Sequence, residues 1–316
     1  MSSVKIAILD DYQNVALSFA DWSSLNAQIE VHTDFYDTPE SLTHALTGAE
    51  VVVAMRERTK FSAETLARLP SLRLLVSTGP RNAAIDLAAA HVLGITVTST
   101  RYIPYPPAEH TWALILAAAR NVAAEAQAVK EGKWQIGVAE GLHGHTLGLL
   151  GLGSIGSSVA RVGQAFGMET ISWSQNLTAN HAARHGVRPV PRKELFTQSD
   201  ILSVHLQLSE RTRGLVGPAE LAMMKRTAML VNTSRGPIVD EPALMGALKD
   251  GRIRHAALDV FEHEPLPAGH PLRSLGNALV TPHIGYITRE QYEVFYCDAV
   301  QDIDAFLSGN PIRVME

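Results

Sequence analysis

Along the first hundred residues, compact apolar runs alternate with segments whose apolar positions recur at helical spacing. The run at 4–9 is apolar almost throughout and ends on Asp10-Asp11, which reads as a strand of a parallel sheet buried on both faces. Runs at 29–31, 51–54, 72–77 and 95–97 predict further strands, and 39–46, 63–69 and 85–91 predict helices, the last closing at Gly94. This strand–helix alternation predicts a doubly wound α/β domain.

A break follows at Tyr102-Ile103-Pro104-Tyr105-Pro106-Pro107, then an alanine-rich stretch that predicts one long helix over 108–128. The prolines read as a rigid hinge feeding a helix start rather than as a ligand for a proline-binding module. Next, the apolar run 147–150 enters Gly151-x-Gly153-x-x-Gly156, and a helix-compatible segment follows. In a dinucleotide-binding β-α-β unit Gly151 would allow the tight turn, Gly153 the approach of a pyrophosphate, and Gly156 close packing of helix on strand. Ser154 and Ile155 would open the helix, whose free N–H groups and positive dipole end suit phosphate. Alternation then resumes, with strands expected at 170–173, 201–204, 229–231, 256–260 and 278–280 and a helix at 241–249 closed by Gly251. A final helix at 288–307 lies beyond the last strand of this unit and is expected to return to the first domain. About half the chain precedes the glycine motif, so a second domain must be built there.

Composition changes this picture little. With 316 residues, 46% hydrophobic and 19% charged, the chain has ordinary globular composition and room for two domains. A net charge of -5 argues against nucleic acid as the main partner. The single cysteine, Cys297, allows no disulfide within the chain and fits a reducing compartment. The first residues lack the apolar core of a signal peptide, and no run reaches the ~18 residues of a membrane span. A cytoplasmic location without membrane attachment is expected.

Three polar residues sit just past expected strands, where ligands bind in open α/β sheets. They are Arg235 in Asn232-Thr233-Ser234-Arg235-Gly236-Pro237-Ile238-Val239-Asp240, Glu264 in Asp259-Val260-Phe261-Glu262-His263-Glu264-Pro265, and His283 in Thr281-Pro282-His283-Ile284-Gly285. A guanidinium grips a carboxylate in bidentate fashion and can polarise the adjacent carbonyl. An imidazole exchanges a proton with an alcohol or ketone near neutral pH, and a neighbouring carboxylate orients it and favours its charged form. Beside a dinucleotide, these three groups are what hydride transfer to a 2-oxo acid requires.

These motifs, in this order and spacing, resemble the D-isomer-specific 2-hydroxyacid dehydrogenase family, and the similarity covers nearly the whole chain. The resemblance implies two Rossmann-like domains: a discontinuous substrate domain, 1–102 with 286–316, and a dinucleotide-binding domain, 103–285, with the active site in the cleft between them. It implies that Arg235 holds the substrate carboxylate, that Glu264 pairs with His283, and that His283 is the general acid/base. Asp259, with His205, Thr233 and His283, would lie along the cofactor, and Asp259 would stand near the nicotinamide carboxamide. Thr78 and Gly79 would belong to the substrate loop, and the 104–128 region would form a homodimer contact. The implied activity is NAD(P)-dependent interconversion of a small 2-oxo acid and its D-2-hydroxy acid, glyoxylate or hydroxypyruvate being the nearest substrates and a short phosphoglycerate dehydrogenase another member type. A dinucleotide-sensing binding protein, like the family's corepressors, is the alternative, but Arg235, Glu264 and His283 together favour catalysis.

Two departures from the family pattern matter. The acidic residue that normally meets the adenosine ribose is replaced by Ser174, which removes repulsion against a 2′-phosphate and favours NADP(H) over NAD(H), although Arg184 and Arg188 are the nearest arginines and neither follows at once. The substrate loop reads Ser77-Thr78-Gly79-Pro80-Arg81-Asn82, where Arg81 is expected to help select a substrate with a second anionic group. No metal site is expected. His181-x-x-x-His185 reads as a solvated helix face without a third ligand, His143-Gly144-His145 as a turn, Cys297 as helix packing and Trp134 as surface packing.

Overall fold

The computed structural model of the chain describes residues 3–316 and divides into two compact units, one comprising the residues up to Ile103 together with Ile287–Glu316, the other Pro104–Tyr286. In the first, β1 (Lys5–Ile8), β2 (Gln28–Val31), β3 (Val51–Ala54), β4 (Leu74–Ser77) and β5 (Thr96–Ser99) pair in parallel in the order β2-β1-β3-β4-β5. The connections carry α1 (Pro39–Ala45), α2 (Ala63–Ala67) and α3 (Leu87–Val92).

The second unit opens with α4 (Pro106–Ala119) and α5 (Val122–Lys130) and continues β6 (Thr146–Leu150), α6 (Ser154–Ala165), β7 (Glu169–Trp173), α7 (Ala179–Arg184), β8 (Arg188–Pro189), α8 (Arg192–Gln198), β9 (Ile201–Val204), α9 (Pro218–Met223), β10 (Met229–Asn232), α10 (Glu241–Lys249), β11 (His255–Leu258) and β12 (Ala278–Val280). Its sheet is parallel, in the order β12-β11-β10-β9-β6-β7-β8. The chain then re-enters the first unit through α11 (Arg289–Leu307), whose N-cap Thr288 accepts the Gln291 N–H at 3.2 Å.

Burial on both faces explains why the strands read as continuous apolar runs. Successive side chains point to opposite faces, so Leu150, Leu202, Val204, Leu230 and Leu258 fill one core of the second unit, while Leu147, Leu149, Ile201, Val231 and Ala257 fill the other. The order of this sheet reverses at β6, which lies between β9 and β7. The crevice at the carboxyl ends of β6 and β9 is therefore the topological switch point, where ligands bind in such sheets.

Three sequence expectations are corrected. The single helix over 108–128 is two: Asn121 adopts a left-handed φ of 56° between α4 and α5. Asparagine tolerates that conformation, and the helix-favouring alanines on both sides hide the break. Trp134 is 77% exposed, and Cys297 is likewise exposed with its thiol turned toward the Phe19 carbonyl, so neither packs as expected.

The outer edge of β5 is covered from within the unit. Thr98 pairs antiparallel with Val314, and hydrogen bonds run from Ser99 N–H to the Arg313 carbonyl (2.9 Å) and from Met315 N–H to the Val97 carbonyl (2.8 Å). Arg313 ties this segment to α11 through Asp302, Nε to Oδ1 2.7 Å. No helix among the described residues is long and apolar enough to cross a membrane.

Candidate active site

The glycine turn leaves β6 at the switch point, and each glycine has its own reason. Gly151 has a φ of 104°, and a Cβ there would fall 2.6 Å from the His205 carbonyl oxygen on the strand-end next door. A Cβ on Gly156 would meet the Gly151 carbonyl oxygen at 2.3 Å, so only glycine lets α6 pack this close to its strand. Gly153 differs, because nothing lies within 4 Å of its Cβ position. It is the exposed N-cap of the twelve-residue α6, and no side chain caps that end. Open space, free helix N–H groups and the dipole together fit a pyrophosphate. Gly153, Ser154 and Ile155 are the residues that would hold it.

His205 leaves β9 beside this turn, its N–H donating to the Leu150 carbonyl at 2.8 Å and its Nε2 within 2.9 Å of Ser203 Oγ. Burial pushes its imidazole down to about 4, so the ring is neutral at physiological pH. Thr233, after β10, shares a 2.7 Å hydrogen bond with Thr111 of α4. Ser174 follows β7 and is half-buried. Of the arginines near it in sequence, Arg188 is held by Glu169 at 2.7 Å, at the opposite end of β7, and Arg184 is exposed.

The other residues gather at the carboxyl ends of β10, β11 and β12. His283 Nδ1 lies 2.6 Å from Glu264 Oε2, and Glu264 Oε1 accepts the Phe261 N–H at 2.9 Å. A carboxylate on Nδ1 fixes the proton there and leaves Nε2 as the nitrogen for proton exchange. His283 has a left-handed φ of 52°, which costs a non-glycine residue of order 1–3 kcal/mol.

Asp259 supplies the compensation. Its buried carboxylate accepts from Thr281 Oγ1 (2.6 Å), Ile284 N–H (2.9 Å) and Gly285 N–H (2.8 Å), and lies 3.2 Å from His110 Nε2 of α4. One side chain thus brackets the turn carrying His283. Burial alone would raise the Asp259 pKa, but the hydrogen bonds from His110 and Thr281 and the Ile284 N–H outweigh it and hold the carboxyl below its usual range.

Arg235 is half-buried, with Nη1 donating to the Ser234 carbonyl at 2.7 Å and its own carbonyl accepting from Asn232 Nδ2 at 2.9 Å. Ser234 Oγ donates to the Leu206 carbonyl, which joins the ends of β9 and β10. Gly236, given no separate role from sequence, sets the approach of Arg235 to the Glu264 segment. A Cβ there would lie 1.9 Å from the Phe261 carbonyl oxygen, inside the backbone of the neighbouring loop.

In the first unit the substrate-loop candidates follow β4. Thr78 is buried, its hydroxyl accepting the Arg56 N–H at 2.8 Å, and the Gly79 N–H donates to Thr100 Oγ1 at 2.7 Å. A Cβ on Gly79 would sit 1.8 Å from Arg56 Nη1, and that same nitrogen donates to the Thr78 carbonyl at 3.2 Å. The cation seated on this loop is therefore Arg56, after β3, while Arg81 is exposed. Nothing in the sequence around Met55-Arg56-Glu57-Arg58 singled Arg56 out, because the contact depends on the pairing of β3 with β4.

His181 also departs from expectation. Its residue surface is exposed, but its Nε2 lies 2.8 Å from the Leu152 carbonyl, inside the glycine turn, and its ring packs edge-on against His185 at 5.0 Å.

Residues 112–285 match the family described as D-isomer specific 2-hydroxyacid dehydrogenase, NAD binding domain. A glyoxylate reductase of Aeropyrum pernix is 42% identical over 262 residues, covering 79% of this chain and 78% of its own. A glycerate dehydrogenase of Methylorubrum extorquens is 34% identical over 290 residues, 88% of this chain and 89% of its own. The crystal structure of a phosphoglycerate oxidoreductase from Vibrio cholerae superposes with a TM-score of 0.92 at 37% identity, over 97% of this chain and 99% of that one. The chain belongs to the D-isomer-specific 2-hydroxyacid dehydrogenases, NAD(P)-dependent oxidoreductases that act on the CH–OH group of their donors.

Proposed function

We propose that the protein interconverts a small 2-oxo acid and its D-2-hydroxy acid, with His283 as general acid/base and Arg235 holding the carboxylate. The observation that carries this is the 2.6 Å His283–Glu264 pair, set at the carboxyl end of the same sheet as Arg235 and the open Gly153 turn. Bound nicotinamide supplies or accepts the hydride. His283 delivers a proton from Nε2 to the carbonyl oxygen in the reductive direction, and Glu264 stabilises the charged imidazole. Arg235 neutralises the substrate carboxylate and the oxyanion that develops beside it. The dinucleotide-sensing alternative is not favoured, since the compared relatives are named as reductases and dehydrogenases.

Glyoxylate and hydroxypyruvate are the proposed substrates, NADP(H) the preferred cofactor because Ser174 offers no carboxylate to repel a 2′-phosphate, and Arg81 a selector of acids with a second anionic group. One experiment tests all three: oxidation of NADPH and of NADH followed optically across a panel of 2-oxo acids, with the Arg81→Ala variant run in parallel. Turnover of glyoxylate or hydroxypyruvate, with higher kcat/KM for NADPH, is expected. No oxidation with any acid would sink the enzymatic proposal, and a clear advantage for NADH would reverse the cofactor preference. If Arg81→Ala weakens dianionic acids no more than monoanionic ones, Arg81 has no part in selection.

Homodimerisation through the 104–128 region and the segment after it is also proposed. Val122, Val129 and Ile136 are exposed, Trp134 is 77% exposed and Val138 95% exposed, and five exposed apolar side chains within this short stretch favour a covered surface. Light scattering should give twice the 34.2 kDa chain mass, and Trp134→Asp with Val138→Asp should shift it toward the monomer. A monomeric parent protein would exclude the dimer.

A further inference from the structure

We infer that His181 is a positioning residue for the cofactor, aiming the Gly153 N–H at the pyrophosphate by holding the peptide that precedes it. The inference rests on the dinucleotide-binding reading of the glycine turn. Thr178 caps α7 by accepting the His181 N–H at 3.2 Å, which puts His181 in the first turn of that helix. Helical side chains lean toward the N-terminus. The ring therefore reaches back from α7 to the turn after β6, where Nε2 takes the Leu152 carbonyl at 2.8 Å. The edge-on contact with His185, one turn further along, braces the ring in that direction.

The consequence follows from peptide geometry. The Leu152–Gly153 peptide is trans, so its C=O and N–H point in opposite directions. Fixing the Leu152 oxygen toward α7 fixes the Gly153 N–H away from it. Gly153 is the position whose missing Cβ leaves open space, and it starts the uncapped end of α6. If the peptide rotated, a carbonyl oxygen would turn toward that space and repel a phosphate. His181 blocks that rotation, and it does so from outside the glycine motif, on a helix that buries only Ala182.

The test uses dinucleotide affinity, by quenching of intrinsic fluorescence with NADH and NADPH, alongside steady-state kinetics of the full chain. Losing one hydrogen bond, His181→Ala should weaken dinucleotide binding about 3- to 10-fold. The cofactor KM should rise in parallel, while kcat and the substrate KM at saturating cofactor stay within twofold. His181→Gln, whose amide nitrogen reaches the place of Nε2, should restore affinity. His181→Asn, whose nitrogen lies near the place of Nδ1, should not. A merely structural histidine would lower the melting temperature in all three variants without this split between Gln and Asn, which would overturn the inference, as would unchanged affinity in His181→Ala. A parent protein that binds neither dinucleotide would instead overturn the cofactor reading on which the inference stands.

Discussion

Replacing His283 by alanine is expected to lower turnover about 100- to 10,000-fold, the range that a positioned general acid/base contributes. Dinucleotide affinity should change little, because the glycine turn proposed to hold the pyrophosphate is at the end of β6 and His283 is beyond β12. Alanine, however, is uncomfortable at the left-handed φ of 52° that His283 adopts. His283→Asn separates chemistry from backbone strain, since asparagine accepts that conformation but cannot exchange a proton at the imidazole position. Both variants should lose activity alike, and Asn should melt closer to the parent protein. Retention of more than about a tenth of parental kcat in either variant would remove His283 from the role assigned to it.

Asp259 gives the second large effect, on stability and activity together. Its carboxylate serves Thr281, Ile284, Gly285 and His110, so Asp259→Ala strands several buried donors at once. Breaking a buried charged network in this way costs about 3–5 kcal/mol. The 281–285 turn would lose its bracket, and turnover should fall because the His283 ring is no longer held against Glu264. Chemical denaturation and kcat measured on the same preparation should move together. If Asp259→Ala unfolds at the parental midpoint, the bracket is not what holds the turn. Because the folded pKa lies below the ordinary 3.8, the contribution of this carboxylate is complete above that value and is lost as the pH falls through the folded pKa. Acidification to pH 4 should therefore leave it in place.

Much of the architecture was legible because the sheets are buried on both faces. Runs such as Val51–Ala54 and Ile201–Val204 show this in their composition alone, and the structure places both as strands with the expected bounds. The α4–α5 break was not legible, because the alanines on either side of Asn121 carry the helical pattern through it. The candidate site divides in the same way. The glycine turn, Arg235, Glu264 and His283 announce themselves by motif. Gly236, Arg56, Asp259 as a four-donor bracket and His181 do not, since each acts through a loop or helix distant in sequence. The meeting of Gly236 with the Phe261 backbone exists only because β10 and β11 lie side by side.

The pairing of Thr98 with Val314 has a consequence for the chain's behaviour in crowded solution. An uncovered parallel edge presents a row of unused donors and acceptors to any passing strand, and is a template for aggregation. Here the residues around Val314 occupy that row on β5. At one margin of the larger sheet, β8 is only two residues long and ends in Pro189, which has no N–H to offer a stranger. Through these two devices, self-association by strand addition is discouraged at both places.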